Sequence, residues 1–121
     1  MSQAGANGSG GGGGGSATFT FTDKNTSFSA SANNGYFCTA ALTATLPSTP
    51  SQGSYVIIET TTGSAVVIQA GGTNVIKLGS TASAAGGTAT SNAAGNSVFL
   101  VFRTADTTWY SISTEGTFTV A

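Results

Sequence analysis

The chain has 121 residues, only 6% of them charged, a formal net charge of -1 and no histidine. That is the size of one domain with one hydrophobic core, and three cationic side chains are too few to neutralise a nucleic-acid backbone. No apolar run reaches the roughly 20 residues of a membrane-spanning helix, and the opening MSQAGANGSG lacks both the basic residues and the apolar stretch of a secretory signal.

Residues 1–16 are a Gly/Ser/Ala segment containing six consecutive glycines, Gly10 to Gly15. It runs directly into ATFTFT, whose strict alternation predicts a strand with Phe19 and Phe21 on one face and threonines on the other. DKN at 23–25 predicts a turn, TSFSASA a weak strand, and NNG at 33–35 a second turn, because Asn and Gly tolerate positive φ. In YFCTAALTATLP the residues Leu42, Ala44 and Leu46 alternate until Pro47 and Pro50 forbid central pairing. SYVIIE and AVVIQA read as two strands of a hairpin closed through a loop containing Gly63. GGTN turns the chain into the short VIKLG, and residues 80–96, without one large apolar side chain, predict a surface loop or thin edge strand. SVFLVFRT is a continuous apolar strand, ADTT a turn, and WYSIS and TFTVA the last two strands, parted by Glu115-Gly116. No segment carries a 3.6-residue period, and eight or nine short strands at close spacing predict an all-β fold: an antiparallel β-sandwich, jelly roll or small barrel over residues 17–121.

Catalytic chemistry finds little support in these residues. The absence of histidine removes the commonest general base and metal ligand together. Of the four acids, Asp23 and Asp106 fall in predicted turns and Glu115 precedes a turn glycine, positions where carboxylates serve local backbone hydrogen bonds. Glu59 is expected to pair with Lys77 or Arg103 on a neighbouring strand. No loop clusters the carboxylates that calcium requires, and the glycine run lacks the following Gly-Lys-Ser/Thr of a phosphate-binding loop. We therefore expect no catalytic, metal or cofactor residues. The single Cys38 excludes an intrachain disulfide and reads as a small buried hydrophobe.

Two features point to assembly. Neutral Ser and Thr far outnumber charges on the strands, a surface with little repulsion between copies. Most aromatic residues are expected in the core, yet GYF and TWY each set adjacent aromatics on opposite strand faces. One ring of each pair must then leave its own core, making Tyr36, Phe37, Trp109 and Tyr110 candidates for an oligomer interface, for which a trimer is expected.

From Asn33 onward the order of the words NNGYF, TLPSTP, VIQAGG, a Thr/Gly-rich loop, SVFLVF, ADTTW and EGTFTV resembles a β-rich module of bacteriophage tail-fibre and virion surface proteins. The resemblance covers about three-quarters of the chain and implies a structural or binding domain, commonly trimeric and without enzymatic activity. Standing almost alone behind a Met-initiated glycine segment, it is more similar to a capsid decoration, or cement, protein than to a fibre tip. By that resemblance the protein would sit on the outer capsid surface of the virion, bound to the major capsid protein. Residues 1–16 would be an extended arm along the shell, contributed by Ser2, Gln3, Asn7, Gly10, Gly11, Gly12, Gly13, Gly14, Gly15 and Ser16, in place of a simple flexible linker. The alternatives are a tail-fibre or head-fibre module that recognises the host surface, and a subunit of a self-assembling extracellular filament.

Overall fold

The computed structural model of the chain describes residues 18–121. The expected arm, Ser2 to Ser16, lies outside the described residues. The rest is all-β: two sheets pack face to face as a sandwich. One sheet has the spatial order β1 (Phe21–Lys24), β3 (Asn34–Cys38), β5 (Tyr55–Thr60), β10 (Ser97–Arg103), β11 (Thr108–Glu115), β7 (Val75–Leu78) and β8 (Thr81–Ala82). The other runs β12 (Thr119–Val120), β9 (Thr88–Ser91), β6 (Val66–Gln69), β4 (Leu42–Thr45) and β2 (Phe28–Ser29).

The sheets are mixed, where purely antiparallel pairing was expected. The chain crosses from one sheet to the other after each of its first six strands and returns in the same direction. Hence β1, β3 and β5 pair in parallel, as do β2, β4 and β6. The hairpin β10–β11 is then inserted between β5 and β7, antiparallel to β5 and parallel to β7. For the same reason SYVIIE and AVVIQA do not form the expected hairpin. β5 and β6 lie in opposite sheets, and Val56, Ile58, Val66 and Ile68, all 0% exposed, belong to one core between them. Each apolar face needs cover, and facing sheets supply it where adjacent strands of one sheet cannot.

Two further expectations change. Asp23 and Lys24 extend β1 instead of turning the chain, because the register Phe21↔Gly35 through Lys24↔Cys38 pairs them with β3. Residues 80–96 stay on the surface only in part: β8 is an exposed edge strand, as expected, while β9 lies between β6 and β12, with Ala89 and Ser91 wholly buried. Its small side chains fit a closely layered interior. The turn at Asn33 does form, with φ 66°.

The core is filled by aliphatic side chains from both sheets together with Trp109, whose ring centroid lies 5.2 Å from that of Phe102. Polar groups inside are largely paired. The Thr60 hydroxyl lies 2.9 Å from the carbonyls of both Ala93 and Asn96, and the Asn96 amide donates to Ser91 Oγ at 3.0 Å and to the Thr117 carbonyl at 2.9 Å. Burial also pushes the Cys38 thiol up from 9.0 to about 11. A thiol held neutral in the folded state binds its proton more tightly than in the unfolded chain, so stability present below pH 9 falls as pH rises toward 11. The expected loss is roughly 2 kcal/mol across that window. Urea unfolding of the native protein and Cys38→Ala at pH 8 and pH 10.5 checks it, since the variant should lack this component of the decline.

Candidate functional site

The strongest candidate is the outer face of the seven-stranded sheet, where register stacks side chains into three transverse rows. Along each strand alternate residues point outward, so Val98, Leu100 and Phe102 fill the core while Phe99 and Val101 look away from it. The first row is Tyr55↔Val101↔Tyr110↔Lys77. The second is Phe21↔Gly35↔Ile57↔Phe99. The third is Asp23↔Phe37↔Glu59↔Ser97↔Glu115.

Rows one and two form an aromatic band. Phe19, 49% exposed, lies across Tyr55 and Phe99 with centroids 5.5 and 5.9 Å away, and Tyr55 and Phe99 are themselves 5.5 Å apart. The Phe21 ring tilts against Phe37 at 4.9 Å. Gly35 makes that placement possible: a Cβ there would come within 2.6 Å of the Phe21 ring. A bulge between Phe99 and Leu100 throws Ile112 outward on β11, 65% exposed.

The band is flanked by charges of opposite sign. Three of the four acids of the chain, Asp23, Glu59 and Glu115, share row three on strands β1, β5 and β11. Each is separated from the next by two strand spacings, about 9.6 Å. At the opposite end Lys77 Nζ sits 5.7 Å from the Tyr110 ring centroid, and Arg103 Nη1 pairs with Asp106 Oδ2 at 3.1 Å. The Tyr110 hydroxyl donates to the same Asp106 oxygen; that bond, with Arg103 adding to it, holds the Asp106 carboxyl below its ordinary value, and the same bond raises the Tyr110 phenol against the opposing effect of Arg103. Lys24 faces the other side of β1, with Nζ 5.2 Å from the Phe28 centroid.

The residues singled out from sequence divide accordingly. Phe37 and Tyr110 lie half-buried on this outer face, as the adjacent-aromatic argument requires. Tyr36 and Trp109 do not qualify as interface residues: they are 5% and 0% exposed, their side chains committed to the core by register with Ile58 and Phe102. The expected pairing of Glu59 with Lys77 or Arg103 is also replaced, because β10 carries Arg103 to the end of the sheet far from row three. Among the described residues the only ion pair is Arg103–Asp106, and none groups three or more His, Cys, Asp or Glu to hold a metal. Most aromatic rings, expected in the core, lie outside it: Tyr36, Phe102, Trp109 and Phe118 are buried there and Phe28 packs against it. The two-faced apolarity of SVFLVF was the available signal for the band, since a strand apolar on both faces needs cover on both.

A scan against models of known protein families finds no match, and no curated protein matches the chain significantly.

Proposed function

We propose that this chain is a non-enzymatic structural protein of a bacteriophage virion, a capsid decoration protein that binds the major capsid protein on the outer surface of the shell as a homo-oligomer. The observation that carries the assembly role is the aromatic band on the outer face of the seven-stranded sheet. A contiguous patch of large apolar rings is costly to leave in water and marks a contact surface. The order of motifs shared with phage surface modules supports the virion setting, and the glycine-rich segment 1–16 supports a tether that lies in a close-fitting groove.

Deleting residues 2–15 is the direct test. Occupancy on purified particles is expected to fall at least about tenfold, because an arm held by main-chain hydrogen bonds contributes a large part of such a contact. Unchanged occupancy would sink the arm mechanism. The shared fibre pattern favours the second reading, a receptor-recognising fibre module, and the same particles separate the two. Decoration requires the protein in hundreds of copies per virion, whereas a fibre module requires a handful.

A further inference from the structure

We infer that the outer face of the seven-stranded sheet pairs with the same face of a second copy, about a two-fold axis that lies in the plane of contact and runs across the strands. In this arrangement the aromatic band closes on itself while the carboxylate row of each copy meets the Lys77 end of the other.

The argument starts from the order of the three rows. Rows are spaced by two residues, about 6.7 Å along the strands; Asp23, Glu59 and Glu115 stand at one end of the band, and Lys77 and the Arg103–Asp106 pair at the other. A two-fold axis across the strands reverses that order: row two faces row two, and row three faces row one. Ile57 and Phe99 then oppose their own equivalents at the centre. Strand order is preserved, so β11 faces β11, which brings Lys77 on the adjacent β7 one strand spacing from the second copy's Glu115. Arg103, paired with Asp106, lies on β10 one row beyond row one, so Lys77 is the cation that meets the second copy's acid row.

The competing symmetries bring like charges together. A two-fold axis along the strands aligns the two acid rows and gathers six carboxylates. A threefold axis along the strands, the form the module resemblance implies, keeps equal rows level and gathers nine. Like charges brought together across an interface disfavour it, and charges at the edge of an apolar patch choose the register of the contact. Among the described residues nothing on the same protomer pairs with the three acids. The same patch serving both partners is the definition of a two-fold contact.

This contact goes beyond the decoration reading and is tested without any virion. Analytical ultracentrifugation of the full chain at micromolar concentration is expected to give the mass of two copies. Phe99→Glu should weaken self-association at least about 100-fold, because it sets a charge at the desolvated centre of the band, and Ile57→Gln should act in the same direction. Circular dichroism and the unfolding midpoint show whether each variant remains folded. Lys77→Glu and Glu115→Lys should each weaken the dimer about tenfold, and the double swap should restore it to within a few-fold of the native value. A mass of one or of three copies overturns the proposal, as does a dimer that survives both folded band variants. A double swap no tighter than the single variants overturns the antiparallel sense. Loss of capsid occupancy on deleting the arm, with the dimer intact, separates the two readings.

Discussion

Trp109→Ala is expected to lower stability by about 3–5 kcal/mol, a large share of what a domain of this size possesses. Trp109 is the only tryptophan of the chain and is 0% exposed on β11, its ring against Phe102. Truncation leaves a cavity between two sheets held apart by the remaining side chains, and the sheets cannot close over it without breaking register with β7 and β10. Chemical denaturation of native protein and variant measures the difference. Trp109→Phe is expected to cost less than the lost ring area suggests. The indole Nε1 has no hydrogen-bond partner, so replacement also removes a buried unpaired donor. Fluorescence gives an independent check: native emission should be strongly blue-shifted and should move red on unfolding. A water-exposed spectrum in the folded state would contradict the burial on which the estimate rests.

Gly116→Ala is expected to cost about 2–4 kcal/mol, the second largest single effect. The residue turns the chain from β11 into β12 with φ 77°, where L side chains are strained. A Cβ there would also lie 1.8 Å from Asn96 Oδ1 and 2.6 Å from its Cγ. Asn96 cannot simply rotate away, because the residue is 7% exposed and its amide donates to Ser91 Oγ and the Thr117 carbonyl. The strain and the disturbed network therefore combine. A double-mutant cycle separates them: with Asn96→Ala in place, Gly116→Ala should lose its steric component and the two substitutions should fall short of additive. Strict additivity would mean that the glycine matters for its backbone angle alone.

The sequence by itself determined the local elements. Period-2 alternation in LTATL, the Asn33 turn, the glycine at 116 and the lack of helical periodicity all act between residues close in the chain, so they are legible without a fold. That one ring of each adjacent aromatic pair would face outward was legible too, in GYF and TWY. Which ring faces outward was not: Phe37 and Tyr110 turn out while Tyr36 and Trp109 turn in, because only pairing with β5 and β10 assigns a face to each residue. The same holds for the parallel winding of the first six strands and for the burial of β9. Most of all it holds for the charge pattern of the candidate site. Asp23, Glu59 and Glu115 are 92 residues apart from first to last and read singly as turn or surface acids. Register between β1, β3, β5, β10 and β11 sets them in one row. Strand order is a non-local choice, decided by which apolar faces can cover one another, and that choice leaves no mark on any short stretch of sequence.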